Sequence, residues 1–247
     1  MEEYRHDKVI PFKSSTNSKK QQVAEMFDKI AFRYDFLNHL LSAGIDVYWR
    51  RKAITELAAA GPRKVLDVAT GTADMAVMMA RSLKLEKVIG IDISASMLEI
   101  GRIKIAKLGL NDKIEVQTGD SEAINFVNDT FDAVTVAFGV RNFENLEKGL
   151  SEMRRVLKPK GKLVVLEFSR PSHPILCKLY NLYMRTAARR VGKWVAKNCE
   201  AYEYLHESVK TFPEGNNFAD ILLKTGFVNV YFKKLSLGIC TIYCGSK

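Results

Sequence analysis

Cysteine is scarce in this chain. There are four among 247 residues, Cys177, Cys199, Cys240 and Cys244, and no two form a C-x-x-C pair. That excludes a disulfide-stapled framework and thiol-based zinc ribbons, and free thiols suit a reducing cytoplasm. No stretch approaches the ~20 apolar residues that span a bilayer, and the N-terminus carries no apolar run of the kind that marks a secretory signal. Acidic residues are in deficit, 28 against 38 basic ones, for a net charge of +10. This excess serves solubility or points to an anionic partner: a membrane surface, a nucleic acid or an acidic substrate. Glycine is also sparse where it would be most telling. The segment "VLDVATGTADMAVMMA", Val65 to Ala80, reads as strand, turn and helix, yet has only Gly71 where a dinucleotide fingerprint has three glycines.

Hydrophobic residues make up 47% of the chain, ample for a core. Residues 1–19 are polar and Lys/Ser-rich and read as a mobile arm ahead of one domain, 20–247. From Lys20 to about Ala60 apolar residues recur at three and four, predicting a helical lid. Strands then alternate with helices: "KVLDVAT", "KVIGIDI" with Ser94 capping the next helix, "KIEVQTGD", "FDAVTVAFG", and "GKLVVLEFS" after a helix that stops at Lys158-Pro159. Apolar strands separated by helices predict a mostly parallel sheet with helices on both faces. Residues 171–213 break the alternation as a basic, helical insertion. "FVNVYFKKLS" and "GICTIYCGS" close the chain as an antiparallel hairpin, with Cys240 and Cys244 on one face. The fold expected is therefore α/β and Rossmann-like.

Ligands of such sheets sit at the carboxyl ends of the strands, where strand order reverses. Gly71 permits close backbone approach, and Asp92 ends the second strand about 20 residues past the turn, where a carboxylate can accept ribose hydroxyls. Asp74 falls where the third fingerprint glycine would be, and an acid at a helix N-terminus competes with a pyrophosphate for the same dipole end. Asp120 and Ser121 follow the third strand, within reach of an adenine. Alone, each aspartate could be a turn former or cap. As an ordered set, Asp67, Asp92 and Asp120 suit a ligand with ribose, adenine and cationic groups but no phosphate, namely S-adenosylmethionine. No metal site is read.

Four blocks carry a resemblance: "YDFLNHLLSAGIDVYWRR" (Tyr34–Arg51), "LDVATGTAD", "AFGVRNFENLEKGLSEMRRVLKPKGKLVVLEFSRP" (Ala137–Pro171) and "YEYLHESVKTFP". The chain resembles the class I S-adenosylmethionine-dependent methyltransferases, and more closely the ubiquinone/menaquinone biosynthesis C-methyltransferases, the UbiE/MenG family, from about Val23 to the end. The resemblance implies that Thr72 and Asp92 hold the methyl donor and that Asp120 and Ser121 complete its adenine side. Ala137 stands where many members have serine, and Asp46-Val47 where the family signature has His-Arg.

The reaction implied is methyl transfer to a ring carbon of a reduced, polyprenylated quinone precursor, with demethylmenaquinol favoured over the ubiquinone precursor. Arg141 and Asn142 in "FGVRN", past the fourth strand, and Tyr34 on the lid are the candidates for the chemistry. Arg141 is a poor base but could stabilise a phenolate or orient a water, or it could instead pair with an acid to cap the next helix; Tyr34 could equally pack in the core. Lys178, Arg185, Arg189, Arg190, Lys193 and Lys197, interleaved with Leu179, Tyr180, Tyr183 and Trp194, could lie on an anionic bilayer from the cytoplasmic side or form a solvated face. The residues leave homodimerisation open. A small soluble acceptor, an RNA-directed protein and an NAD-dependent dehydrogenase are the competing readings. The absence of RNA-recognition and catalytic-cysteine motifs disfavours the second, and Asp74 the third.

Overall fold

The computed structural model describes residues 4–42, 44–171 and 199–247, with the backbone alone at 33–41, 199 and 202. Two helices precede the sheet, α1 (Lys19–Leu41) and α2 (Asp46–Ala58). Then follow β1 (Lys64–Val68), α3 (Asp74–Ser82), β2 (Lys87–Asp92), α4 (Ala95–Lys107), β3 (Ile114–Thr118), β4 (Phe131–Ala137), α5 (Leu146–Val156) and β5 (Leu157–Phe168). The chain ends in α6 (Cys199–Thr211), α7 (Asn216–Lys224), β6 (Val228–Leu235) and β7 (Cys240–Ser246).

The strands form one seven-stranded sheet in the order β3-β2-β1-β4-β5-β7-β6. The first five run parallel, and β7 pairs antiparallel with both β5 and β6. Strand order reverses between β1 and β4, whose ends splay a crevice. Alternation along each strand divides the core by face. Val65, Val88, Ala133 and Val164 bury beneath α2, α3 and α4, whereas Leu66, Ile89, Val134 and Val165 bury beneath α5 and α7. Both C-terminal cysteines are buried on the α2–α3 side. A third cluster joins Val23, Met26 and Ile30 of α1 to Met97 of α4 and Tyr204 of α6.

Local chemistry sets the helix ends. Ser94 Oγ accepts the Met97 N–H at 3.2 Å and opens α4, and Asn145 Oδ1 accepts the Lys148 N–H at 2.9 Å and opens α5. The α5 helix gives way directly to β5 at Leu157, earlier than "GKLVV" suggests. The residue before Pro159 avoids the helical region, and Lys160 takes a left-handed φ of 65°, so Phe131 pairs with Leu157 and the register shifts before Ala133 meets Lys162.

The described part of the N-terminal segment packs onto the domain instead of trailing as an arm. His6 is fully buried in a 3-10 turn, edge-on to Phe212 at 5.4 Å, and Tyr4 Oη donates to Glu147 at 2.7 Å. Burial and the nearby Lys19 hold His6 down at about 3, so it is neutral. The composition of this segment is polar, but its few aromatic and histidine side chains find a cleft beside α6. Of the expected insertion, 199–211 is α6, and the basic residues at 178–197 lie outside the described residues.

Candidate active site

At the sheet reversal a cleft of about 910 Å³ opens over the carboxyl ends of β1, β2, β3 and β4, beneath α1 and α2. The loop from Ala69 to Ala73 forms its floor. Ala69 and Ala73 take left-handed φ values of 53° and 66°, Gly71 takes 57°, and Phe138 across the cleft takes 60°. Non-glycine residues in this region cost energy, and such strain collects at ligand clamps. Two glycines set the spacing. A Cβ at Gly139 would sit 2.5 Å from that of Ala69, so the β1 and β4 loops touch only because it is absent. A Cβ at Gly71 would meet no atom within 4 Å; it faces open cleft.

Asp67 lies under this floor, opposite Thr135 of β4 in register, and is 1% exposed. Its carboxylate accepts hydroxyls from Thr70 at 2.6 Å and Thr135 at 2.7 Å. Burial pushes it up to about 6, against these hydrogen bonds. Asp92 is half-buried at the end of β2 and accepts the Gly71 N–H at 2.8 Å and the Ser94 N–H at 2.9 Å. Burial raises its pKa and the backbone N–H bonds oppose the shift. The carboxylate is thus aimed by the backbone, with acceptor capacity left for a diol.

Past β3, Asp120 Oδ1 accepts the Glu122 N–H at 2.8 Å and Oδ2 pairs with Lys20 Nζ at 2.6 Å. Glu122, 4% exposed, accepts the N–H groups of Glu144 and Asn145 at 2.9 Å and so ties this loop to the one after β4. Asp67, Gly71, Thr72, Asp92, Asp120, Ser121 and Ala137 all border the one cleft, together with Asn142. Thr72 Oγ1 accepts from Lys104 at 3.2 Å, and Lys104 also pairs with Asp74.

Arg141 requires a correction. It does not line the cleft. Its guanidinium, 3% exposed, donates to Glu167 Oε1 at 2.7 Å and to the Phe138 carbonyl at 2.6 Å. Glu167 ends β5 and lies 26 residues away, so no local pattern around "FGVRN" discloses the pairing. Asn142 does line the cleft, and its Oδ1 accepts from Tyr204 Oη at 3.0 Å. Burial raises the Tyr204 pKa well above the usual phenol range, so this hydroxyl is a donor. Tyr34 belongs to α1, but its side chain lies outside the described residues.

Several cleft residues escaped the sequence reading. Val23 and Phe27 of α1, Ile93 just after β2 and Met97 of α4 give it apolar walls, and Lys20 and Glu122 close one end. Arg50 of α2 closes the other. Spacing alone marks Val23 and Phe27 as one helical stripe, which is the pattern of any packed helix.

The residues fit a nucleoside that carries a cation better than a dinucleotide. The position nearest the α3 N-terminus is filled by Asp74, which is paired with Lys104, so the dipole end is already answered by an acid. The model described as the ubiE/COQ5 methyltransferase family matches residues 15–247. A Bacteroides fragilis protein named demethylmenaquinone methyltransferase is 44% identical over 244 residues, 99% of each chain. A Geotalea daltonii protein named ubiquinone/menaquinone biosynthesis C-methyltransferase UbiE is 43% identical over 230 residues, 93% of this chain and 97% of its own. Among solved structures, a SAM-dependent methyltransferase from Thermotoga maritima superposes with a TM-score of 0.63 at 20% identity, covering 91% of this chain and 99% of its own, which shows the shared fold.

Proposed function

The chain belongs to the ubiE/COQ5 methyltransferase family and is an S-adenosylmethionine-dependent methyltransferase; on that premise we propose that it methylates a ring carbon of demethylmenaquinol, giving menaquinol. The observation that carries the acceptor is the near full-length match to the Bacteroides fragilis demethylmenaquinone methyltransferase. The name of the Geotalea daltonii relative makes the ubiquinone precursor the second reading.

When bound, S-adenosylmethionine supplies an electrophilic methyl group on a sulfonium. Asp92 would accept the ribose hydroxyls on a carboxylate fixed by Gly71 and Ser94, Asp120 and Ser121 would face the adenine, and Asp67 would support the loop at the sulfonium end. Alignment of this kind contributes on the order of 7–11 kcal/mol to a bimolecular step. The apolar residues of α1 and α4 keep the cleft dry, which strengthens every charge inside it. On the acceptor side, Tyr204 occupies the Asn142 carbonyl, which leaves the Asn142 amide N–H₂ to donate to a quinol oxygen. Arg141, locked to Glu167 and to the Phe138 carbonyl, acts as a positioning residue for the turn that carries Asn142. Tyr34 would contribute from α1, where Tyr34→Phe measures its hydroxyl through kcat. A ring carbon would form the new C–C bond as the S–CH₃ bond breaks, leaving S-adenosylhomocysteine; the phenolic proton given up on activation would be regained as the ring proton leaves, so one proton in all passes to solvent.

No helix among the described residues is long and apolar enough to cross a membrane. The polyprenyl tail would be met at the bilayer by the basic, aromatic sequence of 178–197, with the chain on the cytoplasmic face. Co-sedimentation with phosphatidylglycerol vesicles that weakens as salt rises supports this, and no binding at low salt counts against it. A homodimer is part of the same reading, checked by light scattering. For the reaction, methyl-labelled S-adenosylmethionine and reduced demethylmenaquinone should give ring-labelled menaquinone by mass spectrometry. Label found only in the ubiquinone precursor, or only in a soluble phenol or amine, would overturn the acceptor assignment.

A further inference from the structure

Arg50 is a buried cation without an assigned task. It sits on α2, is 6% exposed, and lines the cleft beside the β1 loop. Three contacts aim it. Trp49, its neighbour, is wedged against Phe138 and Phe168 with ring centroids 6.2 and 5.9 Å away, and its indole N–H donates to Ser236 Oγ at 2.8 Å. That packing fixes the helix against the sheet. The Arg50 guanidinium lies 5.3 Å from the Phe138 ring centre. One turn back on α2, Asp46 accepts from Arg50 Nη1 and is itself held by the Ser42 hydroxyl at 2.8 Å. Arg50 Nη2 is 4.0 Å from Asp74 Oδ2, outside hydrogen-bond range. Its Nε is buried and has no hydrogen-bond partner among the described residues.

A guanidinium carries five N–H donors in a rigid fork suited to a carboxylate. Here one arm is used by Asp46, one reaches no partner at hydrogen-bond distance in Asp74, and the Nε–H is idle. Leaving a charged donor both buried and unmet is costly unless a ligand answers it. The cleft has a direction. Asp120 and Ser121 mark its adenine end and Asp92 its ribose. Arg50 stands at the opposite end, past Gly71, beside Asp67 and Asp74. A methyl donor laid along this path brings its amino-acid zwitterion to Arg50. One ammonium and one carboxylate enter together, so the local charge balance among Arg50, Asp67 and Asp74 is preserved.

We propose that Arg50 binds the carboxylate of the methionine moiety of S-adenosylmethionine, and so selects donors that keep the amino-acid end. This rests on the methyltransferase reading above and extends it to a residue and a ligand group. Asp46 and Ser42 are its positioning residues. Asp46 occupies the place where the family signature has histidine, so this chain carries its own acidic anchor for the arginine.

The test compares two nucleosides by calorimetry on the full chain. S-adenosylhomocysteine carries the zwitterion; 5′-methylthioadenosine lacks it. Arg50→Gln should weaken S-adenosylhomocysteine by about 10- to 100-fold and 5′-methylthioadenosine by less than about threefold. Arg50→Lys, which keeps the charge but not the fork, should fall between wild type and Arg50→Gln for the first ligand only. Unchanged affinity for both, or equal losses for both in the two variants, overturns the Arg50 assignment while the methyl-donor reading stands. Wild-type protein that binds neither nucleoside overturns that reading as well, and the two failures are thereby told apart.

Discussion

At the β2 end of the cleft, Asp92 is held by two backbone N–H groups and turns its remaining acceptor capacity toward open space. At the β4 end, Arg141 is sealed against Glu167 and the carbonyl of Phe138, and offers the cleft only the turn it supports. Both are charged residues just beyond a strand of the same sheet, in the same sequence context of strand, short turn and helix. They differ in their partners. Asp92 is answered by backbone N–H groups, that of Ser94 from its own turn and that of Gly71 from the β1 loop 21 residues before it, and by no opposite charge among these contacts. Arg141 is answered by a carboxylate on a different strand. A carboxylate met by backbone N–H groups keeps acceptor capacity for a ligand, whereas a guanidinium neutralised by a buried carboxylate is spent within the fold.

This contrast can be broken or sharpened by substitution. The largest effect is expected at the sealed end. Glu167→Ala leaves the Arg141 charge buried without its carboxylate, and should cost about 3–5 kcal/mol of unfolding free energy in urea titrations. A loss under about 1 kcal/mol would mean that Arg141 is free to serve the cleft directly.

Next comes the floor of the open end. The carboxyl of Asp67 is raised to about 6 in the folded chain, chiefly by burial. An unfolded aspartate titrates near 3.9, so between these values the folded state binds the extra proton and stability falls as pH rises. The wild type should lose about 2 kcal/mol relative to Asp67→Asn between pH 4 and pH 6.5, read as the difference of their unfolding free energies. A difference that does not vary with pH would place a normal aspartate there.

Smaller effects test the contacts that join the two ends. Tyr204→Phe removes the donor to Asn142 Oδ1 and should cost about 1 kcal/mol of stability, with a larger fall in kcat than in donor affinity. Equal change in both would detach Asn142 from the acceptor side. Lys20→Met breaks a pair with Asp120 in which both side chains are about one-third exposed, 28% and 30%, and a longer contact of 3.2 Å with Glu122, which keeps its two backbone N–H partners. It should shift stability by about 1 kcal/mol or less, and the effect should shrink in high salt.

Much of this molecule was legible in its sequence, for identifiable reasons. The strands of the parallel sheet show as apolar runs because both faces are covered, and Ser94 before an apolar-periodic run foretold its cap. The ordered aspartates at strand ends gave the cleft, since a sheet of this topology brings strand ends together whatever the packing. Four features were not legible. The Arg141–Glu167 pair and the Lys20–Asp120 pair join residues 26 and 100 apart, and no periodicity links them. The docking of His6 depends on a hollow beside α6 that only the folded domain creates. Arg50 looked like one more basic residue in "YWRR", because the burial that gives it meaning comes from Trp49 locking against two phenylalanines.

The most direct measurement is a crystal structure of the chain with S-adenosylhomocysteine. The nucleoside should lie along the β1–β4 crevice, with both ribose hydroxyls about 2.6–3.2 Å from the Asp92 carboxylate and the adenine beside Asp120 and Ser121. A nucleoside bound elsewhere, or one in the crevice with Asp92 touching only Gly71 and Ser94, would contradict this.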